Sequence, residues 1–308
     1  MEIRPNIAFT FEEFAKVLVK RGAYSDKDIE EVASFIVKDS PEMIESMGYD
    51  SKNVKIDFIR NKGVPAWGSG RIPLHVKSEM GDFILKPYDT HNPKEERKIL
   101  EYLKQAKAEI APQTYFVGDK GYAEEFLKGK PLTQIVCEEG IESAIKYGGE
   151  MHAKLAKLGI SYNHNHWLDE FYIDAKGQKV LDFGTAQFFL KEGASPEFDA
   201  RLDKLTHSGV GSVLKHDHNN NDYWVDGSLY GIPFRLGIHI GEPALEKALS
   251  IGKTPEERLN LLTAWYTAGL GIAKHFLCTT HQFCSELAVK STMEVMPVFL
   301  ESFAKAYK

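Results

Sequence analysis

Near the middle of the chain, Asp182-Phe183-Gly184 follows the apolar pair Val180-Leu181. A carboxylate at the end of an apolar strand, just before a Phe-Gly turn, suits Mg²⁺, a hard cation that takes oxygen ligands. Upstream, Asn163-His164-Asn165-His166 and Asp169 offer two imidazoles and a second carboxylate. Imidazole and carboxylate together suit zinc or iron, so His164, His166 and Asp169 form an alternative metal set, although H-x-H-x-x-D is a common pattern. Lys86 sits inside the apolar stretch Phe83-Ile84-Leu85-Lys86-Pro87-Tyr88. A buried ammonium is costly unless paired, so it requires an anion or a carboxylate. Glu96, early in the following helical stretch, is placed to meet it. Gly68-Ser69-Gly70 can lay backbone N–H groups along phosphates, or can serve as an ordinary hairpin loop. Taken in chain order, the glycine turn, Lys86, Glu96, Asp169 and Asp182 fit a phosphoryl-transfer site.

The elements that must position these residues are signposted. Residues 9–49 read as helices. Thr10 with Glu13 makes a capping box, Ser25 with Asp28 opens a second helix, and Ser40-Pro41 opens a third. Residues 53–60, 71–78 and 83–88 are short, β-branched and aromatic, and predict an antiparallel meander with a glycine-bearing first loop. Asn92-Pro93, with Glu95 following, opens a helix over the next fifteen or so residues. TYFV and YAEEFL predict two further strands. Beyond residue 131 the pattern is mostly helical, with a stop at Gly159 and a second capping box at Thr254-Pro255-Glu256-Glu257. The expectation is an α+β chain with a helical N-terminal extension over 1–50, a small antiparallel lobe over 51–124 and a helical lobe over 125–308.

The bulk composition bounds the function. The chain has 308 residues, 43% of them hydrophobic, enough for a sizeable core without cross-links. A net charge of −6 argues against a general nucleic-acid binder. No apolar run approaches the roughly 20 residues needed to span a bilayer. The N-terminal stretch has neither a signal nor a transit pattern, and three cysteines fit a reducing, cytoplasmic setting. His275, Cys278, His281 and Cys284 recur every three residues, but on a helix they spread over half the circumference and cannot meet at one ion. The stretch KHDHNNND at 215–222 reads as a solvated turn.

Over about 51–190 the ordered residues resemble the protein-kinase superfamily, and more closely its small atypical branches. These are the RIO-type kinases, the kinase of the tRNA-modifying KEOPS complex and the bacterial lipopolysaccharide kinases. The resemblance implies a bilobal fold with ATP and Mg²⁺ or Mn²⁺ held between the lobes, and a hydroxyl-bearing acceptor that is a protein or a small molecule. It implies that Lys86 grips the phosphates and pairs with Glu96, and that Gly68 and Gly70 lie along them. Glu125 and Leu127, in Glu125-Phe126-Leu127, match the hinge whose backbone reads the adenine edge, and Asp182 matches the metal-binding turn. Asp169, thirteen residues before Asp182, falls at the position of the second metal ligand, normally Asn. His164, five residues earlier, falls where the catalytic Asp belongs, and Tyr162 falls where the loop's leading His belongs.

Three readings follow from this departure. His164 can act as the base, since its ordinary pKa near 6.5 suits proton transfer at neutral pH. The protein can instead be a nucleotide-binding pseudokinase, an interaction module without turnover. Or the histidines can hold a transition metal.

Overall fold

The structure is a computed structural model that describes residues 9–11, 13, 14, 16, 34–61, 64, 65, 73–88, 93–162, 164, 166–189, 244, 246–279 and 285–308. Gly68, Gly70, the helix expected from Ser25, the turn at 215–222, His281 and Cys284 lie outside them. The architecture is α+β, and the chain forms two compact units, Met1–Lys128 and Gly129–Lys308. The sequence suggested divisions after residues 50 and 124.

The first unit is built on a five-stranded antiparallel sheet. Its strands are β1 (Lys55–Phe58), β4 (Leu74–Ser78), β5 (Gly81–Pro87), β7 (Gly121–Glu125) and β6 (Thr114–Val117), hydrogen-bonded in that order. The first three follow each other as the expected meander, with Ile56 opposite Val76 and Leu74 opposite Leu85. Two-residue strands β2 (Arg60–Asn61) and β3 (Val64–Pro65) form a ribbon in the loop after β1. Helix α2 (Pro93–Gln105) follows β5, so β7 rather than β6 takes the place beside it.

N-terminal to the sheet, the Thr10 N–H donates to Glu13 Oε2 at 2.9 Å and the Glu13 N–H donates back to Thr10 Oγ1 at 3.4 Å. That closes the expected capping box. A π-helical turn, Phe35–Asp39, leads into helix α1 (Ser40–Ser46).

Side chains alternate across a strand, so the sheet has two different faces. One face puts Phe83, Leu85 and Ala123 into a core shared with Phe11, Phe14, Phe35, Ile36, Met43 and Ile44. Phe9 extends the sheet edge by exchanging backbone hydrogen bonds with Ile56 at 2.9 and 2.6 Å. The described part of residues 1–50, expected to be an extension, is therefore a wall of the first unit's own core. The other face carries Ile84, Lys86, Tyr122 and Glu124, all buried.

The second unit begins with β8 (Lys130–Pro131), α3 (Leu132–Glu139) and α4 (Ile141–Lys157), which ends before Gly159 at φ +71°. Next come β9 (Ile160–Ser161), the single-turn helix α5 (Trp167–Glu170), β10 (Phe171–Asp174), β11 (Gly177–Val180) and β12 (Gln187–Phe188). β10 and β11 form a hairpin, β8 adds a third strand, and β12 pairs with β9. Helices α6 (Pro255–Thr279) and α7 (Ser285–Tyr307) follow. Helix α6 is capped as expected, the Glu257 N–H donating to Thr254 Oγ1 at 3.1 Å. Helix α4 runs against α7 so closely that a Cβ on Gly149 would stand 2.1 Å from Ser302 Oγ and 2.6 Å from the Phe299 carbonyl oxygen. Among the described residues, no helix is long and apolar enough to cross a membrane.

His152 on α4 is the hub of this unit. Its ring meets Trp167, Phe171, Phe299 and Tyr162 at centroid distances of 5.2, 4.8, 5.6 and 6.1 Å. Burial holds its pKa down to about 3, from an ordinary 6.5, so the imidazole is neutral at physiological pH. Between those values the unfolded chain takes up a proton at His152 that the folded chain does not. Its contribution to stability is complete above about pH 6.5 and is lost progressively as the pH falls. From pH 7.5 to pH 5 the expected loss is about 2 kcal/mol. Urea unfolding at the two pH values should show this difference in the wild type and a smaller one in His152→Phe; equal differences would contradict it.

Candidate functional site

In the first unit, Lys86 sits directly opposite Tyr122, and Glu124 sits opposite Ile84. Lys86 and Glu124 are therefore diagonal neighbours on one face, within reach of long side chains. The Lys86 ammonium lies 2.6 Å from Glu124 Oε1, with the two side chains only 10% and 2% exposed. Lys86 Nζ also stands 5.8 Å from the centre of the Tyr122 ring.

Glu96, fully buried on α2, accepts a hydrogen bond from the Tyr122 hydroxyl at 3.2 Å. The sequence pairs Lys86 with Glu96; in the structure the carboxylate at hydrogen-bonding distance is Glu124, and Glu96 joins the cluster through Tyr122. Strand pairing decides this. Glu124 is brought alongside by the β5–β7 register, which no spacing along the chain reveals.

Glu125 ends β7 with its N–H donated to the Gln113 carbonyl at 2.9 Å. Phe126 then stacks on His75, with ring centres 4.1 Å apart and planes within 9°. Leu127 is half-buried in the segment leaving the sheet.

In the second unit the candidate residues gather around the β10–β11 hairpin. Its register pairs Phe171 with Val180, and the ladder continues one step further, the Leu181 N–H donating to the Glu170 carbonyl at 2.9 Å. One more step would set Asp169 opposite Asp182. The chain at 167–170 is helical, however, and that turn carries Asp169 away.

Asp169 instead lies more than half exposed, with Oδ2 3.8 Å from His166 Nδ1. Burial raises its pKa, but hydrogen bonds from His166 and Thr133 outweigh that and hold it below the usual carboxylate range. His166 Nε2 is 2.5 Å from Lys274 Nζ on α6. An ammonium only donates, so Nε2 is the acceptor and the His166 proton sits on Nδ1, facing Asp169. His166 Nε2 is thus engaged, and the alternative set His164, His166 and Asp169 would have to use Nδ1. His275, next to Lys274, has its pKa lowered by burial, against an opposing pull from Asp169.

The groups brought together are His164, Glu170 and Asp182. One potential ligand atom from each lies within 4.8 Å of the other two, and all three residues are partly buried. The same Glu170 oxygen meets His164 Nδ1 and the Tyr162 hydroxyl. An ionised carboxylate only accepts, so His164 Nδ1 carries its proton. Tyr162 also reaches the Leu181 carbonyl at 2.6 Å. Asp182 has left-handed backbone, φ +58°, and its Oδ1 accepts the Gly184 N–H at 3.2 Å.

Two carboxylates within 4.8 Å repel each other by roughly 3 kcal/mol at an effective dielectric near 20. A proton or a cation offsets that. The donor set fits a divalent cation: two carboxylates and one imidazole, each steered by the shell around it. Of the residues expected to hold metal, Asp182 and Asp169, the structure puts Asp182 in this group and not Asp169. Glu170, missed in the sequence, stands in its place. The clue to it was the hairpin around Ala175-Lys176, whose outward pairing leads to Glu170.

A scan against protein-family models finds no match, and a search of curated proteins finds none either.

The Lys86–Glu124 pair yields a direct test. Lys86→Met strands a buried carboxylate and should cost about 3–5 kcal/mol, whereas Lys86→Met/Glu124→Leu should recover most of that. Urea unfolding of the three proteins measures both values; a single variant as stable as the wild type would show that the pair does not support the sheet.

Proposed function

We propose that this chain is an ATP- and divalent-metal-dependent phosphotransferase of bilobal kinase-like fold that transfers a phosphoryl group to a hydroxyl acceptor. The observation that carries the reading is the gathering of His164 and Glu170 around Asp182 at an Asp-Phe-Gly turn. Supporting it, a five-stranded antiparallel unit carries a buried, carboxylate-paired lysine next to the helix after its strand. Phosphoryl transfer needs positioning and charge neutralisation more than covalent help from the protein.

In this reading Lys86 contributes to ATP binding. Its ammonium has three donors, of which Glu124 takes one. Asp182, Glu170 and His164 would hold the divalent ion, which supplies charge neutralisation at the phosphates when bound. His164 then serves the metal rather than acting as the base expected from its position in the loop. Glu125 and Leu127 would supply the adenine-reading backbone, and Gly68 and Gly70 the phosphate loop. A cytoplasmic setting belongs to the same proposal, consistent with the exposed free thiol of Cys137. The contacts that tie His164 and Tyr162 to Glu170 favour a second reading, a nucleotide-binding module without turnover.

Thermal unfolding with ATP plus Mg²⁺ or Mn²⁺ tests the reading. ATP at about 100 times its Kd should stabilise the folded wild type by roughly 2.7 kcal/mol. Lys86→Met and Asp182→Ala, one variant in each unit, should each lose that stabilisation. ADP formation alongside it identifies the transferase, and stabilisation without ADP identifies the module. No stabilisation by any nucleotide would overturn both.

A further inference from the structure

We propose that His164, Glu170 and Asp182 form a site for one transition-metal dication, of the Mn²⁺, Fe²⁺ or Zn²⁺ class, that fills without nucleotide and discriminates against Mg²⁺. The site is the one that the phosphotransferase reading uses for its divalent ion, and the inference rests on that assignment, but its filling does not require ATP, so either can fail while the other stands.

The ligand chemistry sets the class of metal. Mg²⁺ favours an all-oxygen octahedron and gives up its waters reluctantly, which is why phosphates usually complete its sites. An imidazole among the ligands shifts preference toward first-row transition metals, with affinity rising from Mn²⁺ to Zn²⁺. Two carboxylates bring two negative charges, which a dication neutralises. His164, Glu170 and Asp182 come from three separate places: the loop before α5, the last residue of α5, and the turn after β11. Their ligand atoms nevertheless lie within 4.8 Å of one another, and an ion held by all three would displace the direct contact between His164 Nδ1 and Glu170.

The surroundings hold them there. Tyr162 is buried, and its hydroxyl reaches both Glu170 and the Leu181 carbonyl, the latter at 2.6 Å. The Gly184 N–H orients Asp182 Oδ1 at 3.2 Å. Trp167 anchors the start of α5 by donating its indole N–H to the Ala268 carbonyl at 3.0 Å. Outer partners of this kind set ligand orientation, and losing one typically lowers metal affinity 10–100-fold. Tyr162, Gly184 and Trp167 would thus be the outer partners of the proposed site.

The test uses the full chain, stripped with chelator and dialysed, and titrated with metal alone. Expected is one Mn²⁺ per chain, bound at least tenfold more tightly than Mg²⁺ and displaced by Zn²⁺. Pulsed EPR of the Mn²⁺ form should show nitrogen coupling from one imidazole, a readout that needs no variant. Glu170→Gln and His164→Ala should weaken Mn²⁺ at least tenfold. Tyr162→Phe should weaken it by about 10-fold or more. Asp169→Asn should leave affinity within a few-fold of wild type. Absence of Mn²⁺ binding, equal affinity for Mg²⁺, absence of nitrogen coupling, or loss of binding in Asp169→Asn with retention in Glu170→Gln would each overturn the proposal.

Discussion

One backbone hydrogen bond, from the Leu181 N–H to the Glu170 carbonyl at 2.9 Å, organises the second unit's chemistry. It continues the β10–β11 ladder by one rung and stops there, because the preceding residues are already helical. Had the strand run one residue further, Asp169 and Asp182 would face each other across the hairpin. Instead Glu170 is the last acidic side chain held by the ladder, and its carboxylate meets His164 and Tyr162 beside Asp182. The aromatic group around His152 packs beneath this junction and fixes the geometry of the single-turn helix. A neutral, fully desolvated imidazole at that hub makes the platform apolar in effect, while the charged groups gather just above it.

The first unit shows the same principle with different residues. A lysine on a buried sheet face is tolerable only with a carboxylate at hand, and the antiparallel register supplies one diagonally, from Glu124. Glu96 reaches the same cluster from helix α2 through the Tyr122 hydroxyl. Three polar side chains and an aromatic ring thus share a buried surface whose reverse side carries Phe83, Leu85 and Ala123. In both units the sheet, rather than the distance along the chain, selects which charged groups meet.

Much of this was legible from local sequence. The capping boxes at Thr10 and Thr254, the stop at Gly159 and the strand over 114–117 depend only on neighbouring residues, and all are present in the structure. The first three strands of the sheet follow one another along the chain, so their meander was readable too. The role of residues 1–50 was not, because an amphipathic helix looks the same whether it caps a sheet or stands apart; here Phe11, Phe14, Phe35 and Ile36 complete the sheet's core. The place of β7 beside β5 was equally hidden, and with it the Lys86–Glu124 pair. Spacing pointed to Asp169, since counting back from Asp182 ignores the switch from strand to helix that turns its side chain away. Glu170, one residue on, carried no signal until the hairpin was paired outward from its turn.

The claim that Glu170 completes the group around Asp182 is tested most directly by anomalous diffraction from crystals soaked in Mn²⁺. Expected is one strong peak within about 2.0–2.3 Å of atoms from His164, Glu170 and Asp182, distances ordinary for first-row dications on nitrogen and oxygen. A peak held by Asp169 and Asp182, with Glu170 still on His164 and Tyr162, would contradict it.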